Sequence, residues 1–169
     1  MEFTVVHGDI AAQSADVLVN AAGTSLEMGS GVAGALRREA GEALNEKAVE
    51  NGPVDLGEVA VTDAYDLDAE YVIHAAAMPH YGTRKATEES IQSATHNALK
   101  KADELGCQSV VIPVFGTGAA EFAFERGADL VCSTVADYNP VTLTDVRVIA
   151  YSETEYETLR KVAERLASG

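Results

Sequence analysis

The sequence predicts an α/β domain, a three-layer α/β/α sandwich around a mixed, mostly parallel sheet. Three observations carry this. Short apolar runs alternate along the chain with stretches of helical spacing. Tyr71-Val72-Ile73-His74-Ala75 is apolar on both faces, as a central strand covered by helices on each side must be. No repeat or linker interrupts the alternation, so residues 1–169 read as a single domain.

Residues 3–7 form a β-branched run that stops at Gly8-Asp9, a first strand followed by a turn. A second strand spans 17–20 and ends on Asn20. Small residues follow, then the glycine-rich turn Gly29-Ser30-Gly31. Val32, Ala35, Leu36 and Ala40 then repeat at helical spacing, more weakly continued by Ala43, Leu44 and Ala48, with Gly41 as a break between two short helices. Asn51-Gly52-Pro53 closes the segment. Strands at 59–62 and 71–75 come next. Ile91, Ala94, Ala98, Leu99, Ala102 and Leu105 line one face of the clearest helix, with Glu88 and Glu89 in its first turn and Gly106 as its stop. A buried strand at 109–114 runs into a second small-residue loop, 115–120. The following helix turns Phe124, Ala128, Val131, Cys132, Val135 and Tyr138 inward. The last strand, 146–151, ends on Tyr151. Ser152 and Glu155 have capping-box spacing and start a final helix.

Charge narrows the function classes. Twelve basic against 27 acidic residues give a net charge of −15. No Lys/Arg cluster exists to displace counterions, which argues against nucleic-acid binding. The acids are spread over helix faces, as at Glu39, Glu42, Glu46 and Glu50, a composition similar to that of proteins from salt-loving archaea. An ordinary acidic cytosolic protein is the alternative. Cys107 and Cys132 stand alone, outside any metal-ligand spacing, and read as buried, reduced thiols. No stretch approaches the roughly 20 apolar residues of a membrane span, and the N-terminus lacks a signal-peptide pattern. A cytoplasmic protein with no metal, no cofactor and no membrane partner is expected.

The two glycine loops carry the functional signal. A helix that opens on glycine exposes backbone N–H groups without a Cβ in the way, and such a start accepts an anion, most often phosphate. Asn20, His74, Gly116 and Tyr151 all fall at or just after expected strand ends, where ligands sit in open α/β sheets. Gly29-Ser30-Gly31-Val32-Ala33-Gly34 also spells G-x-G-x-x-G. As a dinucleotide fingerprint it is misplaced, because Ala21 to Met28 separate it from the strand. His74 reads as a structural histidine and His80 and His96 as surface groups.

The pieces together resemble the macro domain, the ADP-ribose-binding, Appr-1''-p processing family, over nearly the whole chain. Gly8-Asp9-Ile10 resembles its G-D-I turn. Val19-Asn20-Ala21-Ala22 with Gly29-Ser30-Gly31-Val32 resembles its V-N-A-A-N…G-G-G-V signature. Val72-Ile73-His74 resembles its V-I-H strand, and Pro113 with Gly116-Thr117-Gly118 its second phosphate loop. The resemblance implies a site. Asp9 would accept the adenine amino group, with Gly8 and Ile10 beside it, although Gly-Asp is also ordinary turn chemistry. Tyr151 would stack on adenine or else be a tyrosine at the core's rim. Gly29, Ser30, Gly31 and Val32, with Gly116, Thr117, Gly118, Ala119 and Ala120, would wrap the diphosphate. Phe122 would pack by the distal ribose or sit in the core. Asn20 would face that ribose and orient a water.

Departures from the family pattern limit what the resemblance implies. Gly23 stands where the family usually has Asn, and Ala33 where many hydrolase members have Asp, a group able to activate water. Ala119-Ala120-Glu121 replaces a bulkier run and should leave a looser cover. Three functions follow. The first is hydrolysis of O-acetyl-ADP-ribose or of mono-ADP-ribosylated protein. The second is a reader that binds ADP-ribose without chemistry. The third, resting on the misplaced glycine motif alone, is a nicotinamide-dependent enzyme.

The acidic surface yields a first test. Self-repulsion among the carboxylates is screened by salt, so the melting temperature should rise between about 0.1 M and about 1 M KCl. A melting temperature that falls over this range would contradict it.

Overall fold

The structure, a computed structural model, describes residues 1–79, 86–115 and 123–168. Its strands are β1 (Thr4–His7), β2 (Val17–Gly23), β3 (Val59–Asp63), β4 (Tyr71–Met78), β5 (Ser109–Pro113) and β6 (Asp145–Ala150). Its helices are α1 (Gly31–Ala40), α2 (Glu42–Glu50), α3 (Glu88–Glu104), α4 (Phe124–Asp137) and α5 (Glu153–Ser168). The strands form one six-stranded sheet in the order β1-β6-β5-β2-β4-β3. All neighbours are parallel except β3, which runs antiparallel to β4 at one edge. The expected mixed, mostly parallel sandwich is therefore the observed one.

Alternation along the strands divides the core in two. Val17, Val19, Ile73, Val110, Ile112 and Val148 point toward α3, α4 and α5. Leu18, Val72, Val111 and Ile149 point the other way, toward α1 and α2. Cys107 and Cys132 are buried free thiols, as expected. Burial, then the charge of Asp129, pushes the Cys132 thiol up to about 12, which keeps it protonated and unreactive.

Two strands outrun their expected ends. β2 continues through Ala21, Ala22 and Gly23, and β4 through Ala76, Ala77 and Met78. Ala and Gly have weak strand preference. Here they are paired, Ala21 with Ala75, Ala22 with Ala76 and Gly23 with Met78, and the ladder overrides local preference. Asn20 is consequently a mid-strand residue. Tyr151, expected as the last residue of β6, lies just beyond it.

Gly41 breaks α1 from α2, as its position suggested. Its φ of 100° is a conformation that side-chain-bearing residues rarely adopt. The break turns α2 back so that its first residue, Glu42, meets Arg37 of α1 in a forked ion pair. At the start of α3, Thr87 and Ser90 form a reciprocal capping box. At α5, the Glu155 N–H donates to Ser152 Oγ at 3.1 Å, the expected cap.

The connection from α4 to β6 is held by one buried carboxylate. Asp103 of α3 accepts from Tyr138 Oη at 2.5 Å and from the N–H groups of Val141, Thr142 and Leu143 at 3.1, 2.9 and 2.9 Å. Burial pushes this carboxyl up, but the donors outweigh it and bring its pKa from 3.8 down to about 2. The lowered value makes Asp103 stabilising above the unfolded pKa, and that contribution fades as pH falls toward the folded one. Asp103→Asn should thus cost about 2 kcal/mol at neutral pH. Denaturant melts of both proteins should converge between about pH 4 and about pH 2. A gap independent of pH would refute the assignment.

Candidate functional site

β2 and β5 are neighbours in the sheet, yet the chain leaves them toward opposite faces. After β2 it passes to α1, which packs on the Leu18 side; after β5 it passes to α4, which packs on the Val110 side. Diverging connections open a crevice at the carboxyl ends of the two strands, the usual ligand position in such sheets. The ends of β1 and β6 continue the same rim. Among the described residues it therefore carries, in spatial order, Gly8-Asp9, Tyr151, the end of β5, and the loop from Gly23 to Ser30.

At the β1 end, the Gly8 N–H donates to Ala150 O at 3.0 Å, which ties the turn to β6 and spends that donor in the sheet. Asp9 is exposed and caps a short 3-10 turn, Ile10–Ala12. One of its carboxylate oxygens accepts the Ala11 N–H at 2.9 Å. The other is the acceptor that Asp9 can offer a ligand. Ile10 is buried, and its carbonyl accepts from Gln13, so its N–H is its available polar group. Tyr151, next to Ala150, is 75% exposed, far more than a tyrosine sealing the rim of a core. Its ring is open to a flat partner.

The loop after β2 is pinned from within. Leu26 and Met28 are fully buried, while Glu27, Gly29 and Ser30 face solvent. The Leu26 N–H donates to Gly23 O at 3.1 Å, closing a turn in which Leu26 takes a φ of 64°. Gly34 of α1 receives the loop's backbone. A Cβ on Gly34 would lie 2.8 Å from Gly29 O, so only glycine permits the approach. Ser30 precedes α1 without a side-chain cap bond, and Gly31 has a φ of 62°. The first-turn N–H groups of α1 have no partners within the helix and lie at its positive end. Gly29, Ser30, Gly31 and Val32 thus form a backbone concavity fit for an anion.

Asn20 does not fulfil its expected role. It is fully buried beneath α1 and α2, and its amide Nδ2 donates to His74 Nδ1 at 3.0 Å. Among the described residues no donor reaches its Oδ1. The three extra residues of β2 place it too deep to face a ribose or orient a water. His74, fully buried as expected of a structural histidine, bonds Thr62 through Nε2 at 3.0 Å. The result is one polar chain across β2, β4 and β3. Burial lowers the His74 pKa from 6.5 to about 4, so the ring is neutral at physiological pH.

Gly116, Thr117, Gly118, Ala119, Ala120, Glu121 and Phe122 lie outside the described residues, as does His80. Of the three departures, Ala119-Ala120-Glu121 lies outside the described residues, and Gly23 and Ala33 sit at the end of β2 and in the first turn of α1. Neither carries a group that can move a proton. An open groove of about 780 Å³ lies at the other end of the strands, among Phe3, Thr4, Ala136, Asp145 and Leu166. It is remote from the rim and has no glycine loop.

Sequence reasoning missed Arg37 and Asn45. Asn45 Oδ1 accepts the Met28 N–H at 2.9 Å, and Arg37 Nη1 donates to Met28 O at 2.7 Å. Arg37 pairs with Glu42 five positions on, a spacing that brings groups together only across the Gly41 break. No periodic pattern would have found it.

Fold and rim define an open α/β sheet with a crevice beside a helix start at its topological switch point. Known proteins give the class a family. The chain belongs to the macro domain family, whose model matches residues 19–131. It is 38% identical over 166 residues to an uncharacterized protein of Sulfolobus acidocaldarius, covering 96% of this chain and 90% of the relative. A macro domain-containing protein of Caldanaerobacter subterraneus is 34% identical over 167 residues, covering 96% of this chain and 95% of the relative. The structure of a point mutant of the Oceanobacillus iheyensis macrodomain with ADPR matches with a TM-score of 0.89 at 26% identity, covering 98% of this chain and 93% of that one. The expected salt-loving origin gains no support, since relatives come from Sulfolobus, Pyrobaculum and Mycobacterium. Among the described residues no helix is long and apolar enough to cross a membrane.

The buried histidine sets a pH dependence. Its folded pKa lies below its unfolded one, so protons favour the unfolded chain. Stability should fall by about 3 kcal/mol from this group as pH drops from about 6.5 to about 4. His74→Gln should flatten that part of the stability–pH curve. An NMR titration showing the folded ring protonated at pH 6 would refute the assignment.

Proposed function

We propose that residues 1–169 act as one ADP-ribose-binding macro domain. Free ADP-ribose, or ADP-ribose attached to a small molecule or protein, is the ligand. The observation that supports the reading best is the order of groups along the rim. Asp9 and the open ring of Tyr151 stand together at the β1–β6 end, while the backbone concavity of residues 29–32 stands at the β2 end. Adenine placed between Asp9 and Tyr151 leaves the diphosphate running toward the start of α1. A chain of net charge −15 can hold such an anion through N–H groups alone, because the helix start supplies partial positive charge with no cation.

Binding without turnover is the form of the reading that the residues favour. Asn20 is sealed in the core, and Gly23 and Ala33 carry no acid or base. Hydrolysis of O-acetyl-ADP-ribose or of a protein adduct would need its base from the ligand's own phosphate. The nicotinamide alternative loses its motif, since Gly29 to Gly34 follow a pinned loop and not a strand end.

Calorimetric titration with ADP-ribose in concentrated KCl should give micromolar affinity. Tyr151→Ala should weaken it about tenfold, the worth of one stacked base, without lowering the melting temperature, since the side chain is mostly exposed. Asp9→Ala should weaken it about as much through the lost acceptor. O-acetyl-ADP-ribose should bind and release no acetate; release would establish the hydrolase instead. Absence of any binding by the folded protein would end the reading.

A further inference from the structure

The two peptides that flank Met28 are held more firmly than a surface loop requires. The Met28 side chain is fully buried. Its N–H is taken by Asn45 Oδ1 of α2 at 2.9 Å and its carbonyl by Arg37 Nη1 of α1 at 2.7 Å. Arg37 is itself aimed by Glu42, which accepts from Nε and Nη2. The Arg37 side chain is about one-third exposed and Glu42 more so, which leaves the clamp at the surface of the two helices.

A trans peptide points its carbonyl and the next N–H in opposite directions. With Met28 O drawn to Arg37 on the helix flank, the Gly29 N–H is turned away from that flank. In the proposed site it would add to the N–H groups that open α1. Were the same peptide to rotate, a carbonyl lone pair would replace a donor beside the anion and repel it. Local forces do not prevent this rotation, because glycine at 29 tolerates either orientation.

We propose that Arg37 and Asn45, with Glu42 behind Arg37, are positioning residues for diphosphate binding: Arg37 locks the Met28–Gly29 peptide in its donor-presenting orientation, and Asn45 fixes the preceding Glu27–Met28 peptide from which it pivots. They touch no ligand. Their effect is preorganisation, since a loop already ordered loses less entropy when it binds. The inference rests on the proposed ADP-ribose site and assigns its affinity to a cation that never meets the phosphate.

The test contrasts two ligands in NMR-monitored titrations of the full chain. ADP-ribose engages the loop, and adenosine has no phosphate to do so. Arg37→Gln and Asn45→Ala should each weaken ADP-ribose about tenfold and move adenosine less than about twofold. Equal weakening of both ligands would make the two residues mere supports of the fold and overturn the proposal. Unchanged ADP-ribose affinity in folded variants would overturn it as well. Should Arg37→Gln fail to fold, Asn45→Ala, which frees the adjoining Glu27–Met28 peptide from the other helix, decides by the same contrast. Native protein that binds neither ligand would overturn the function itself; native binding with unmoved variants would overturn only the positioning role.

Discussion

β2 is buried from Val17 to Asn20 and bonded along both edges, to β4 and β5. A strand in that position cannot leave backbone groups unpaired, and its side chains must serve two cores at once. The rest follows from this. Leu18 and Ala22 anchor α1 and α2, and Val17 and Val19 anchor the opposite layer. Where β2 stops, the chain must turn to one face while its neighbour β5 turns to the other. The crevice is the geometric consequence of that divergence, and the functional residues collect around it.

The crevice is polar in an unusual way for so acidic a protein. The donors its described residues offer at the β2 end are backbone N–H groups, brought together by a helix start and by glycines that let chain segments touch. Gly34 admits the loop against α1, and Gly41 folds α2 back so that Glu42 can hold Arg37. Among the described residues Arg37 bonds the loop at Met28 O from the side of α1.

Buried polar groups divide by task. Asp103 gathers donors from four residues and staples the approach to β6. Asn20, His74 and Thr62 run across the sheet beneath α1 and α2. Both arrangements lie in the frame rather than in the site. A histidine or an asparagine within a strand near a glycine loop is therefore a weak indicator of chemistry until its depth is known.

Much of this was legible in the sequence. Alternating apolar runs and helical spacing determined the layers, the break at Gly41 and the burial of both cysteines, because periodicity and glycine act locally. The rim segments at Asp9, Ser30 and Tyr151 were legible too, since strand ends and glycine turns leave local marks. Depth was not. β2 outran its expected end because pairing with β4 outweighed the weak strand preference of Ala21 to Gly23, and this alone moved Asn20 from the rim into the core. The clamp on Met28 was equally hidden, for it joins a loop and two helices whose contact exists only once Gly41 has folded one back on the other. Local chemistry thus determined which segments could form the site. Tertiary pairing decided how deep each residue sits and which groups hold the loop, because both depend on contacts between residues far apart in sequence.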